Sequence, residues 1–559
     1  MKCTAANGSC YSHSLLHHFF PANNNLPTPS NCIPDMKLKF ADTFNRELPA
    51  DPDTTNTPRQ VHDACFSYVT PKVPANPQLV HFSEEMVEAI GLDPATATSP
   101  EFLQTFSGAA VPEDAKPYAM CYGGHQFGHW AGQLGDGRAI NLTEVVHAGK
   151  RWALQLKGAG VTPYSRTADG LAVLRSSVRE HLCSEAMYHL GVPTTRSISL
   201  SLTGDEVLRD VMYNGNSAYE KGAVVCRAAP SFIRFGNFEI FARRGNVDSL
   251  KKLTDYTMKH FFPDLEPGTK EGYISFFREV SHRTLDMIIH WQRVGFVHGV
   301  MNTDNLSILG LTIDFGPYGW LEGYDEEWTP NTTDRSHRRY RFGNQPGIGM
   351  WNLAQLGSAL IPLIEEAEPL QAILEEYKEA YQQKFQAMMR AKLGLQTAAE
   401  ADDKLIGKLV ETLQLTEVDM TIFFRNLATF SRETSVGEGT DLLTPVLEAF
   451  YEPAALTGET LDTWTTWFKA YAERLGSETV TDSERRTSMH AVNPKYVLRN
   501  YMAQLAIDKA DAGDYALIEE LHQLLKRPYA EQPEAQQWFA KRPEWARNRV
   551  GCSMLSCSS

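Results

Sequence analysis

The residues best equipped for chemistry lie in His298-Gly-Val-Met-Asn-Thr-Asp304-Asn305, followed nine positions later by Asp314-Phe-Gly316. Asn305 and Asp314 offer hard oxygen donors on two loops that can converge. A small divalent cation shared with phosphate groups requires such ligands, so these two are the candidate metal ligands. Asp304 is the carboxylate left in the first loop that could take a proton from a hydroxyl. It could instead cap a turn, as Asp often does, but its neighbours favour the role of base.

The spacing resembles that of protein kinases, whose HRDxxxxN loop supplies a base and a metal-holding Asn before a DFG metal ligand. His298 and Asn305 keep that separation, but Val300 stands at the position of the kinase base and cannot accept a proton. Upstream, Lys157 closes an alternating stretch from Arg151 that reads as a strand, and Glu180 falls mid-helix in Leu171–Leu190. A strand Lys held by a helical Glu is the kinase arrangement; without the downstream loop, two solvated charges would be the simpler reading.

Gly132-Gln-Leu-Gly135-Asp-Gly137-Arg138 precedes that strand where a phosphate cover would lie, although glycine clusters often mark only turns. Asp169-Gly170 occupies the loop between Lys157 and the helix. Arg227 and Arg234 sit among apolar neighbours. A buried guanidinium needs an anionic partner, and either a phosphate or a structural carboxylate would serve.

The elements that must position these residues fall into an α+β pattern, a β-rich first part followed by helices. Leu79–Gly91 is mildly helical, short strand-like pieces cover Thr195–Leu202 and Gly222–Cys226, and a helix is expected over Tyr273–Val294. Beyond Met350 the pattern is helical, over Trp351–Leu393 with a break at Pro362, Leu405–Leu415, Leu443–Tyr451 and Val497–Leu525, without a repeat. The division is a disordered leader over 1–36, an N-lobe over 37–225, a catalytic C-lobe segment over 226–350, a helical region over 351–545 and a flexible tail over 546–559. Met36 is an alternative start.

The 559 residues carry a net charge of −15, 42% hydrophobic and 22% charged residues, the composition of a soluble globular protein. Without a basic block, nucleic acid is not an expected partner, and no apolar run reads as a membrane span. Nine Cys without paired spacing argue against a disulfide framework and a structural zinc site, so a cytoplasmic location is expected. Cys552 and Cys557, in a tail without periodicity, should be exposed. A monomer is the default.

Together these residues resemble the selenoprotein O family, in its cysteine-containing branch. Its marks are Tyr-Gly-Gly-His-Gln-Phe-Gly from Tyr122, Leu-Gly-Asp-Gly-Arg-Ala from Leu134, Leu-Lys-Gly-Ala-Gly-Val-Thr-Pro-Tyr-Ser-Arg from Leu156, Val-Leu-Arg-Ser-Ser-Val-Arg-Glu ending at Glu180, the His298 loop, and Asn493-Pro-Lys-Tyr-Val-Leu-Arg-Asn500. The likeness runs from about residue 40 to the end. It implies a kinase-like two-lobed fold with a large helical C-terminal extension and transfer of AMP from ATP, bound in flipped orientation, to Ser, Thr or Tyr hydroxyls of proteins. The nucleotide-binding set it implies is Gly135, Gly137, Arg138, Lys157, Asp169, Gly170, Arg227, Arg234 and Asp314. Asn305 and Asp314 would hold magnesium, with manganese as an alternative, Asp304 would accept the proton, and Glu180 would orient Lys157. Two other readings stay open on the residues alone, a phosphotransferase using Asp304 and an ATP-binding scaffold without turnover.

Overall fold

The computed structural model describes residues 36–432 and 438–556; apart from Met36, the expected leader lies outside them, as does Cys557. The first part begins with α1 (Thr43–Glu47), β1 (Phe66–Tyr68), β2 (Gln78–Phe82), α2 (Glu84–Ala89) and α3 (Pro100–Ser107). The mildly helical stretch from Leu79 is therefore a strand and a helix, divided at Ser83, whose N–H bonds to Ile198 O across the sheet. Next come β3 (Tyr118–Met120), the hairpin β4 (Gly123–Gln126) and β5 (His129–Gln133), then β6 (Ala139–His147), β7 (Lys150–Lys157) and β8 (Ala172–Val173). Helix α4 (Leu174–His189) and the strands β9 (Arg196–Arg209) and β10 (Ala218–Ala229) complete this part.

One antiparallel sheet runs β1-β3-β6-β7-β10-β9-β2, with β8 paired to β10. Strands β9 and β10 are longer than their apolar pieces predict. Their outer arms pair from Ala218↔Arg209 to Lys221↔Glu206 while projecting into solvent, so backbone pairing rather than apolar alternation maintains them there. Helix α4 lies on the inner halves of both strands.

The rest is helical: α5 (Phe235–Arg244), α6 (Val247–Phe261) and α7 (Lys270–Val294), then the small pair β11 (Phe296–Val297) and β12 (Gly319–Trp320), which brackets the His298–Asp314 segment. Helices α8 (Gln345–Ile364), α9 (Glu368–Leu393), α10 (Asp402–Leu413), α11 (Met420–Leu427), α12 (Gly458–Gly476), α13 (Asp482–Val492), α14 (Asn500–Asp511) and α15 (Ala516–Leu525) follow. Pro362 does not break the chain where expected. It sits in the last turn of α8, and the chain reverses at Glu365, whose φ is 64°. Gly439–Ala449, read as α-helical over 443–451, is 3₁₀-helical around Pro445.

Phe342–Ile364 is long and apolar enough to cross a bilayer, which the sequence reading did not pick out. Leu353, Leu356, Leu360 and Ile364 are fully buried instead, and α8 packs against α5 and α7. It is a core helix of this fold.

The terminal tail also departs from expectation. Cys552 is buried, Asn500 Nδ2 donates to its carbonyl at 2.8 Å, Thr332 N and Oγ1 both donate to Leu555 O, and Ser556 Oγ donates to Val211 O. Backbone bonds of this kind leave no side-chain periodicity to read. Burial pushes the Cys552 thiol up to about 11, so it is a weak nucleophile.

Within the helical region Arg499, at the start of α14, grips Asp419, at the start of α11, through two bonds of 2.6 and 2.9 Å with both side chains buried. Asp419 also caps α11 through Ile422 N. Removing one member strands a buried charge, so Arg499→Met is expected to lower unfolding free energy by about 3–5 kcal/mol, measured by urea denaturation.

Candidate active site

Between the sheet and the helices lies a cleft of about 660 Å³. Its walls include Gly135, Gly137, Arg138, Lys157, Asp169, Gly170 and Arg227 from the sheet side, and Val300, Asp304, Asn305 and Asp314 from the helical side. Of the nucleotide-binding residues the resemblance implies, Arg234 alone stands behind this wall.

Lys157 is delivered by the end of β7 and Arg227 by β10, where it faces Gln155 of β7 in register. Arg227 Nε and Nη2 donate to Gln155 Oε1 at 2.8 and 2.6 Å, which fixes the guanidinium plane. Its Nη1 then reaches Glu180 Oε1 and Asp314 Oδ1, each at 2.7 Å. Glu180, from α4, also pairs with Lys157 through its other oxygen. One helical carboxylate therefore orients two cations, where the sequence suggested one.

Asp314 is the meeting point. Arg234 Nη1 donates to its Oδ2 at 2.5 Å, and Lys157 Nζ lies 3.7 Å from Oδ1. Burial would raise its pKa, but Arg234, Arg227 and Lys157 outweigh that and hold it well below the ordinary carboxylate range. Burial likewise opposes the charges of Arg227 and Arg234, and neighbouring groups, Asp314 among them, more than compensate, holding both pKa values above the usual guanidinium value. For these two Arg the structure shows carboxylate partners. Asp314 has a φ of 56°, a left-handed conformation uncommon outside glycine.

Arg234 begins α5, where its N–H bonds Asn237 Oδ1 at 2.8 Å, and its Nη1 also donates to Asp304 O at 2.8 Å. Its guanidinium lies over the Tyr122 ring, 4.6 Å from the centroid. It therefore fixes the Asp304 backbone and Asp314 together.

Asp304 projects from a single 3₁₀ turn, Thr303–Asn305. Its Oδ2 accepts weakly from Gln126 Nε2 at 3.4 Å, and its buried Oδ1 has no hydrogen-bond partner. Burial pushes this carboxyl up to about 7, against the pull of Arg234. Asn305 Nδ2 donates to Val300 O at 3.0 Å, which leaves its carbonyl oxygen as the free end. His298 donates from Nε2 to Ile313 O at 2.9 Å and accepts from Val300 N at Nδ1, a neutral ring tying the two loops. Burial lowers its pKa, which suits that role.

The β4–β5 hairpin lies against this turn. His125 N donates to Thr303 Oγ1 at 2.7 Å, and Phe127 N donates to Asn302 Oδ1 at 3.2 Å. A Cβ on Gly124 would stand 2.7 Å from Asp304 Oδ1 and 2.9 Å from its Cβ, so only glycine permits this approach. Gln126 and Tyr122 thereby enter the cleft, roles the sequence did not assign although both lie in a quoted motif.

The glycine-rich segment, which lines the cleft through Gly135 and Gly137, is packed on its other side by the chain itself. A Cβ at Gly135 would fall 2.3 Å from Tyr164 Cγ, so that glycine admits the protein's own Tyr164-Ser165 segment rather than leaving bare backbone. Ser165 Oγ bonds Gly137 O, and Thr162 Oγ1 bonds Asp136 O at 2.6 Å. Asp169 is pinned at the rim by Arg209 at 2.7 and 2.8 Å, and Arg209 and Tyr213 join the wall without having been anticipated.

Residues 53–526 match the family model described as protein adenylyltransferase SelO. The chain is 59% identical over 522 residues to a protein nucleotidyltransferase YdiU of Flavobacterium johnsoniae, covering 93% of this chain and 99% of that protein. It is 55% identical over 536 residues to the Rhodopirellula baltica protein of the same name, and 53% identical over 527 residues to that of an Azoarcus species, with the same coverage in both cases.

The Gly124 contact yields a test that needs no chemistry at Asp304 itself. Gly124→Ala is expected to displace the Asp304 carboxyl and reduce turnover at least about 100-fold, with thermal unfolding shifted only slightly. Wild-type turnover would show the contact to be irrelevant.

Proposed function

We propose, on the premise that the chain belongs to the SelO family of protein adenylyltransferases, that Asp304 is the proton acceptor of the reaction and that Lys157, Arg227 and Arg234 stabilise its phosphates. The enzyme uses ATP and transfers AMP to protein hydroxyls with release of pyrophosphate. The observation that carries the site assignment is the Asp304 carboxyl, buried at the cleft with one oxygen unpartnered, in the same loop as Val300, which cannot accept a proton.

In the proposed step, the substrate oxygen bonds to the α-phosphorus while the bond from that phosphorus to the bridging oxygen breaks. The hydroxyl proton passes to Asp304, and the electron pair of the broken bond leaves on pyrophosphate. Lys157, Arg138, Arg227 and Arg234 outnumber the carboxylates of Glu180, Asp314 and, in the ionised form that accepts the proton, Asp304, while burial pushes the Asp136 pKa up. This excess of positive charge favours phosphates and the charge that develops on them. Turning the nucleotide round, as the family resemblance implies, would bring the α-phosphate to the acceptor hydroxyl.

Asn305 and Asp314 fit a magnesium or manganese ion. Both line the cleft, the Asn carbonyl oxygen is the free end of its amide, and Asp314 is held as a carboxylate. When bound, the ion would neutralise phosphate charge and polarise the phosphorus–oxygen bonds. We read the architecture as kinase-like and two-lobed, with 37–225 and 226–350 as the lobes. The sheet with α4 laid across it and the loop between β11 and β12 support this. Burial of all five cysteines resolved as free thiols among the described residues fits a reducing, cytoplasmic setting.

ATP labelled at the α-phosphate is expected to label protein, and ATP labelled at the γ-phosphate is not; label arriving only from the γ position would make the chain a phosphotransferase. Asp304→Asn is expected to cut turnover by about 10²–10⁴-fold while nucleotide binding persists in equilibrium titration. Unchanged turnover would remove Asp304 from its role.

A further inference from the structure

Away from the cleft, His81 of β2, His181 of α4 and His522 of α15 converge from three distant parts of the chain, all buried. One ring nitrogen of each lies within 4.8 Å of the others, and the ring centroids are 4.9, 4.7 and 5.9 Å apart. A tetrahedral ion bonded to three imidazole nitrogens at about 2.0–2.1 Å separates the ring centres by roughly 5 Å. The cluster thus has the dimensions of a ligand shell and needs only small side-chain adjustments to become one.

The surroundings already orient two of the rings. His81 Nε2 pairs with Glu519 Oε2 at 2.7 Å, and His181 Nδ1 pairs with Ser197 Oγ at 2.6 Å. These outward bonds leave His81 Nδ1 and His181 Nε2 facing each other at 2.8 Å, sharing one proton. A tautomer change at His181, with rotation of the Ser197 hydroxyl, frees both lone pairs and keeps both outer bonds, the arrangement that supports metal-bound imidazoles elsewhere.

His522 supplies the independent observation. It is 3% exposed, yet neither ring nitrogen has a hydrogen-bond partner, and its closest anionic neighbour is Glu185 Oε2 at 3.9 Å. A buried imidazole with two unmet nitrogens is unusual in a protein interior. Burial lowers the pKa of all three rings, that of His522 to about 4, so they stand in the neutral form that ligates metals. A cavity of about 250 Å³ beside His81, Glu519 and His522 offers an entry route and room for a fourth ligand.

We propose that His81, His181 and His522 form a binding site for a borderline divalent metal of the zinc class, separate from the nucleotide cleft. Imidazole nitrogen suits Zn²⁺, whereas the oxygen-seeking Mg²⁺ would not select this site. The ion would join the C-terminal helix α15 to edge strand β2 and to α4. His181 is the residue after Glu180, so the site braces the helix that orients Lys157 and Arg227.

The test uses the full wild-type chain in excess Mg²⁺, which is there to occupy the oxygen ligands of the cleft. After treatment with chelator it is titrated with Zn²⁺ against a chromophoric competitor and, in parallel, with Co²⁺ by visible absorption. One equivalent of zinc, tetrahedral Co²⁺ bands and a zinc-dependent rise in Tm are expected. Adding His522→Leu is expected to weaken zinc at least about 100-fold and abolish the bands, and His81→Gln to do the same if the first variant fails to fold by circular dichroism. Absence of tight zinc uptake by the wild-type chain, or undiminished uptake by a folded histidine variant, would overturn the proposal.

Discussion

Asp314 takes a hydrogen bond from Arg227 at one oxygen and from Arg234 at the other, with Lys157 close by, and those cations come from β10, the start of α5 and the end of β7. The sheet, the helical part and the loop between β11 and β12 are thereby registered on one carboxylate. Glu180 supplies the counterweight, holding Lys157 and Arg227 from the α4 side. Such a buried network is stable only while every member keeps its partner. An incoming phosphate therefore meets the Arg227 guanidinium already aligned, at the expense of competing with Asp314 for it.

Lys157, Glu180 and the His298–Asp314 segment were legible because each sits at a defined point of a regular element or at a spacing that few other chemistries share. Gln155 was not: inside an alternating strand it looks like one more polar residue, and only the register with β10 shows that it sets the plane of Arg227. Gln126 and Arg209 were hidden for a similar reason, one on a hairpin whose docking surface is distant in sequence, the other on a strand arm with no apolar rhythm. The fold was readable where burial imposed a period, as in α7, and misread where backbone pairing or local capping took over, as at Ser83 and Glu365.

The glycine-rich motifs carry a related lesson. Gly124 and Gly135 both look like flexible turn positions, yet each is a place where another part of the chain presses close, the Asp304 carboxyl in one case and the Tyr164 ring in the other. Their role is to let layers of the cleft come within contact distance, which places Gln126 beside the proposed base and Ser165 over the loop before β6.

The bonds from residues 555 and 556 to Thr332 and Val211 give the terminal segment a mechanical standing that its composition conceals. Val211 lies two residues past Arg209, the last residue of β9, and Thr332 lies beyond the loop that carries Asp314. The segment therefore acts as a stitch between the two sides of the cleft. Any bulky fusion, affinity handle or surface immobilisation attached just beyond Ser556 would pull on the stitch.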